Sequence, residues 1–258
     1  MDIKFNQKIF RRLLKLNRIS KKDSILAVGA VKAERDFFMD LNFKNVTILN
    51  ITKFKTSAVS PFKYINSDIT KLKLPDGCFD FVFVSASLHH CSSPVGAFCQ
   101  MYRVAKKGVI VTEPRDSLIV RLGQKAKIIP EYELEAVTDN GFVHGGTNDT
   151  AVPNYIYRWT EREFEKIVKS LNPIGKHKFL FFYKFNPSFS QAKLIDHRLK
   201  YYLLRFIALL MWPLTLLFRK QGNTLGVVIF KPQIPKDLFP WLKVGKNRKI
   251  VFNRTFCG

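Results

Sequence analysis

Asp23-Ser-Ile-Leu-Ala-Val-Gly-Ala-Val-Lys-Ala33 reads as a short apolar strand, a turn and the start of a helix. In a doubly wound α/β sheet the first strand-to-helix turn is where a nucleotide-like ligand meets the backbone. Glycine there permits both the tight turn and the close approach. Gly29 stands in that turn, while Val31 and Ala33 fill the positions where two further glycines are expected. The stretch points to the fold and leaves open how well the turn holds a ligand.

Working outward, Val46–Ile51, Lys63–Asn66, Phe79–Ser85 and Gly108–Thr112 are further apolar runs. Strands apolar on both faces belong to a buried parallel sheet. An amphipathic helix is expected at 6–17, and helix-compatible stretches at 33–42, 54–60 and 94–105 separate the strands. Strand and helix alternate, as right-handed βαβ crossovers require. After Glu113 the alternation stops, and 115–159 is a Gly-, Asn-, Pro- and Tyr-rich insertion with one helix expected near 117–128. Thr160-Glu-Arg-Glu163 is a capping box opening a helix to about Leu171. Lys178–Phe185 and Thr224–Lys231 read as an edge hairpin. The expectation is a Rossmann-like, seven-stranded, mostly parallel sheet, with insertions after the fifth strand and between the last two. It occupies residues 1–235, and 236–258 form a basic, aromatic tail.

The 258 residues carry 43 Lys+Arg against 20 Asp+Glu, a formal charge of +23. From Asn172 onward there are 16 basic and 2 acidic residues, a net of +14. Such an excess suits an anionic partner, nucleic acid or an acidic membrane surface. Tyr201–Phe218 is apolar with one charge, Arg205, and a proline at 213. Arg198, Lys200, Arg219 and Lys220 flank it, so 198–220 is expected to lie on an anionic membrane surface, with a buried core helix or a membrane span as the alternatives. Cys78, Cys91, Cys99 and Cys257 form no C-x-x-C pair and have no histidine at zinc-ligand spacing, so no metal site is expected. The polar N-terminus has no signal-peptide core. A cytoplasmic protein, peripheral to the inner membrane, is the expectation.

Ligands of open α/β sheets bind beyond the carboxyl ends of the strands. The residues there are Gly29-Ala30-Val31, Asn50-Ile51-Thr52, Ser67-Asp68-Ile69, Ser85 to His90, and Glu113-Pro114. Asn66-Ser-Asp-Ile-Thr-Lys-Leu-Lys-Leu-Pro-Asp-Gly-Cys-Phe-Asp-Phe-Val-Phe-Val-Ser-Ala-Ser-Leu-His-His90, followed by Met101–Pro114, resembles the class I S-adenosylmethionine-dependent methyltransferases of the type-11 branch. Pro130–Val137 and Pro153–Glu161 resemble members associated with bacterial polysaccharide clusters.

The resemblance implies S-adenosylmethionine as cofactor. It makes Gly29, with Ala30, the close-approach point for the methionine and ribose portions, and Asp68 the acceptor for the adenine amino group. Ile69 and Ile51 would border the cofactor, and Ser85 and Ala86 would line the methionine part. The acid at the start of the family's glycine loop is Ala27 here, and the ribose-binding acid at the end of its second strand is Asn50. A neutral acceptor makes weaker bonds than a charged one, about 1 kcal/mol against roughly 1.5–3. Methyl transfer from a sulfonium is mostly positioning. A hydroxyl acceptor gains from a general base, and His90, with His89 beside it, is the first candidate; Glu113 and His144 stand behind them. The leading expectation is a methyltransferase acting on a glycan or lipid-linked saccharide at the cytoplasmic membrane face. A methyltransferase-like scaffold without cofactor, and an RNA methyltransferase, are the alternatives, although no RNA-binding module is evident.

Overall fold

A computed structural model describes residues 2–186, 202, 205–206, 209–210, 212–213, 215 and 217–256. Its main sheet contains β1 (Ile25–Val28), β2 (Val46–Asn50), β3 (Lys63–Asn66), β4 (Phe79–Ser85) and β5 (Ala105–Pro114). Inside the insertion β6 (Tyr132–Glu133) pairs antiparallel with β7 (Asn154–Tyr155). The main sheet is completed by β8 (Lys178–Lys184) and β9 (Thr224–Phe230), and its order is β3-β2-β1-β4-β5-β9-β8. The first five strands run parallel, while β9 is antiparallel to both β5 and β8. The expected seven-stranded, mostly parallel fold is what forms.

Both faces of the sheet are covered, which is why its strands are apolar throughout. Side chains alternate: Ile25 and Ala27 join one core, Leu26 and Val28 the other. On the first face α1 (Ile3–Lys15) buries Phe5, Ile9, Phe10 and Leu13. Phe10 meets Phe37 of α2 (Lys32–Asp40) edge-on at 5.2 Å and Phe83 of β4 at 5.3 Å. On the second face α3 (Pro94–Val104) packs beneath the insertion. There Phe98 lies edge-on to Phe164 at 5.0 Å, and Trp159 stacks on Phe164 at 4.6 Å.

The insertion contributes α4 (Leu118–Lys125) and the short α5 (Glu135–Thr138). Thr160 and Glu163 form the expected capping box of α6 (Glu161–Leu171). The stretch at 54–60 gives no α-helix, only a 3-10 turn at Thr56–Ala58. It carries no apolar stripe, and Pro61 drives Ser60 away from the α conformation. The tail forms a hairpin of β10 (Leu242–Val244) and β11 (Ile250–Phe252). Lys178 pairs with Asp237 at 3.0 Å, which ties the start of the tail to the start of β8.

Residues 198–201, 203–204, 207–208, 211, 214 and 216 of the apolar segment lie outside the described residues. Of the remainder, Tyr202, Phe206, Leu209, Leu210, Trp212 and Leu217 are exposed, whereas Thr215 is buried. The described apolar positions therefore face the surface and not the core. No helix among the described residues is long and apolar enough to cross a membrane.

Candidate active site

The direction of winding reverses between β1 and β4, so the crevice beyond their carboxyl ends is the topological switch point of the sheet. Two residues in the left-handed region turn the chain there: Gly29 (φ 65°) after β1 and Ala86 (φ 50°) after β4. A Cβ at Gly29 would lie 2.5 Å from the Ser87 Cβ, so only glycine fits between the two turns. For Ala86 the left-handed conformation is strained, as residues at functional turns often are.

The chain braces the Gly29 turn itself. The Val31 N–H donates to Glu34 Oε2 at 2.9 Å. Asn50 Nδ2 donates to the Ala30 carbonyl at 3.2 Å, and Asn50 Oδ1 accepts from the Thr52 N–H at 2.9 Å. Asn50 thus holds the β1 and β2 turns together, with both polar atoms of its side chain engaged. Ile51 is exposed beside it. At the end of β3, Asp68 Oδ1 accepts from the Thr70 N–H at 2.8 Å and from its hydroxyl at 2.7 Å, while Ile69 is buried against the core. Asp68 is half-buried.

Ser85 departs from its expected role. Its hydroxyl accepts from Asn6 Nδ2 at 2.9 Å, under α1, and Asn6 Oδ1 accepts from Thr112 at 2.8 Å. The Ser85 side chain therefore links β4, and through Asn6 also β5, to α1 and points away from the crevice. Ala30 is likewise buried, so at both positions only backbone can reach a ligand. Gly29, Asn50, Ile51, Asp68 and Ala86 do gather around the carboxyl ends of β1 to β4.

The acid–base groups come together next to them. Glu113, at the end of β5 and 1% exposed, accepts from the N–H groups of Ser87 (2.8 Å) and Leu88 (2.9 Å). The same carboxylate takes His89 Nδ1 at 2.6 Å. On its other side His89 Nε2 faces Glu133 Oε2 of β6 at 3.2 Å, and His90 Nε2 faces that oxygen at 3.3 Å. Carboxylates only accept, so an imidazole between two of them carries two N–H groups or faces a cation. Burial opposes charge on His89, but the Glu113 charge and hydrogen bond, with Glu133 beyond, more than offset it and lift the pKa to about 9. Burial, then the charge on His89, holds His90 below the usual histidine value. Glu133 also resists charge through burial, yet its bond to His89 and the two imidazoles bring its pKa down to about 2.

Glu133 escaped sequence reasoning because it lies in an insertion, 43 positions from His90, and only the fold brings it in. Its place is fixed by pairing with Asn154, whose Nδ2 donates to Glu133 Oε2 at 3.3 Å. The same insertion reaches over the crevice at two more points. Thr52 Oγ1 donates to Asp149 at 2.6 Å, and the Ser92 N–H donates to Asn148 at 2.9 Å. His144 pairs with Asp149 at 3.3 Å and is not among the donors that converge with His89, His90 and Glu133.

Residues 33–112 match the family described as "Methyltransferase domain". A methyltransferase bound to the Haloferax volcanii Trm112 activator aligns with 87% of this chain and 88% of its own, at 12% identity and a TM-score of 0.51. The plantazolicin methyltransferase BpumL, solved with S-adenosylhomocysteine, covers 90% and 85% at 12% identity and a TM-score of 0.51. The fold is that of a class I methyltransferase. Among curated proteins, demethylmenaquinone methyltransferase of Chlamydia trachomatis is 28% identical over 152 residues, 55% of this chain. Malonyl-[acyl-carrier protein] O-methyltransferase of Marinomonas is 27% identical over 116 residues. The chain matches 63% of the length of the Chlamydia protein and 42% of the Marinomonas one.

Proposed function

We propose that the protein transfers a methyl group from S-adenosylmethionine to a hydroxyl of a lipid-borne acceptor at the cytoplasmic face of a membrane. The observation that carries this reading is the pair of left-handed turns at Gly29 and Ala86, set at the switch point of a methyltransferase sheet. The bare Gly29 turn and the exposed Ala86 suit the close approach of the cofactor's methionine end. Asp68 can accept from the adenine amino group beside the exposed side chain of Ile51, whereas Ile69, turned into the core, does not supply the apolar wall expected of it. Asn50 offers the ribose less than a carboxylate would, because its amide already braces the turn.

When bound, the cofactor supplies an electrophilic methyl on sulfur. The chain's own residues position the acceptor oxygen in line with it and exclude water beneath the insertion. The acceptor oxygen would take the methyl from the cofactor's sulfur, and its hydroxyl proton would leave to solvent beside the cluster of His89, His90 and Glu133. A lipid-linked saccharide of the polysaccharide-cluster type is the acceptor we favour from the sequence. A quinol carried by a lipid, methylated at a ring carbon with loss of that carbon's proton and not at a hydroxyl, is the second reading, supported by the likeness to demethylmenaquinone methyltransferase. Either acceptor suits the apolar face of Phe206, Leu209, Leu210 and Trp212, with Arg219 and Lys220 placed to meet anionic headgroups.

A methyl-transfer assay with labelled cofactor tests the reading, using undecaprenyl-linked oligosaccharide, demethylmenaquinol and total RNA as acceptors. Label in the lipid phase is expected. Label only in RNA would replace the acceptor class. Cofactor binding without transfer to any of the three would remove the acceptor proposal, and no cofactor binding would favour a scaffold that keeps only the fold.

A further inference from the structure

Three nitrogen and oxygen donors from two separate parts of the chain converge at the mouth of the crevice. His89 and His90 come from the turn after β4, and Glu133 comes from the insertion. One ligand atom from each lies within 4.8 Å of the other two. The Nε2 atoms of both imidazoles sit 3.2 and 3.3 Å from a single oxygen of Glu133. A tetrahedral cation with bonds of about 2.0–2.1 Å spaces its ligands roughly 3.3 Å apart, so these separations are those of neighbouring ligands around one ion.

The surroundings are organised in the same sense. Glu113 is buried, anchored by two backbone N–H groups, and takes His89 Nδ1, which turns Nε2 outward toward Glu133. A carboxylate behind a histidine whose other nitrogen faces outward is the arrangement that orients metal-binding imidazoles and raises their basicity. Asn154 steadies Glu133 by donating from Nδ2 to Oε2 itself at 3.3 Å.

We propose that His89, His90 and Glu133 form a site for a borderline divalent cation of the zinc class. Two imidazoles and one carboxylate suit such an ion, and three protein ligands leave a fourth position open. Adjacent histidines have no zinc-motif spacing, and the third ligand arrives only through the β6–β7 pair, so the site is invisible in the sequence. The cation's role in catalysis rests on the methyl-transfer reading above: the open position would take the acceptor's hydroxyl oxygen and favour loss of its proton to solvent. Binding of the cation does not depend on that reading.

The test is equilibrium dialysis of the chelator-stripped full chain against Zn2+, with Co2+ as a spectroscopic probe. One Zn2+ per chain is expected, together with the intense visible bands of four-coordinate cobalt. His90→Ala and Glu133→Gln should each weaken binding about tenfold or more, whereas His144→Ala should leave it unchanged. Folding of the variants is checked by near-ultraviolet circular dichroism. Should either variant unfold, the cobalt-loaded wild type must still show hyperfine-shifted proton resonances from two imidazoles. Absence of stoichiometric binding, of those two resonances, or of any effect of the folded variants overturns the site. Titration of the stripped protein with S-adenosylmethionine separates the two proposals. Cofactor binding without Zn2+ binding defeats the cation site alone, and the reverse defeats the methyl-transfer reading alone.

Discussion

At the scale of single residues, Gly29 and Asn6 show how closely the crevice depends on local chemistry. Gly29→Ala would place a Cβ in the left-handed region, at a cost of about 1–2 kcal/mol, and press it against Ser87. The expected outcome is a lower urea midpoint, with cofactor affinity falling further than stability because the turn itself shifts. Asn6 is fully buried and bridges Ser85 to Thr112. Replacing it with Leu leaves two buried hydroxyls without that partner and should destabilise the fold by about 1–3 kcal/mol, read from the same denaturation curves. Neither role is visible in the sequence. An Asn among Phe5, Ile9 and Phe10 reads as one polar residue on a helix, and Ser85 reads as a ligand contact until α1 is seen to claim it. Asp68, by contrast, was legible as both a turn residue and a site residue, and it does cap the Thr70 turn at the crevice.

At the scale of elements, the strands were the most legible part. Short apolar runs bounded by polar turns and alternating with helical stretches read as buried strands, and β1 to β5, β8 and β9 lie where those runs lie. The capping box was equally plain, since Thr160 and Glu163 are close in sequence. Thr160→Ala should cost about 1 kcal/mol, detectable as a lower thermal midpoint with the crevice intact. The two-residue strands β6 and β7 could not be foreseen, because a pair that short has no periodicity and depends on the insertion's closure.

Another long-range pairing sets a pH response. His177 Nε2 meets the Tyr102 hydroxyl of α3 at 2.7 Å. Burial, then the charges of Lys231 and Lys169, lower its pKa from 6.5 to about 4. Between those two values the unfolded chain binds the proton more readily than the folded one. His177 should therefore cost the fold nothing above about pH 6.5, destabilise it progressively as pH falls toward 4, and add no further loss below that. His177→Gln should flatten this part of the stability–pH curve; an unchanged slope would show that other groups set it.

At the scale of the whole molecule, a strongly basic chain exposes large apolar side chains at Phe206, Leu209, Leu210 and Trp212. The full chain should float with vesicles containing phosphatidylglycerol and remain behind with neutral vesicles. Phe206→Ser with Trp212→Ser should abolish flotation at unchanged thermal stability, since both side chains are exposed. Salt should weaken the association because headgroup attraction is screened. Flotation with neutral vesicles to the same extent would assign the effect to the apolar face alone.

The claim on which the account rests is that the Gly29–Ala86 crevice holds S-adenosylmethionine, despite the loss of the loop's other glycines and of the acid at Asn50. Isothermal titration of the chelator-stripped full chain with the cofactor addresses it directly. One site per chain is expected, weakened by Asp68→Ala and lost in Gly29→Val. No saturable heat with the wild type, or binding indifferent to both substitutions, would contradict it.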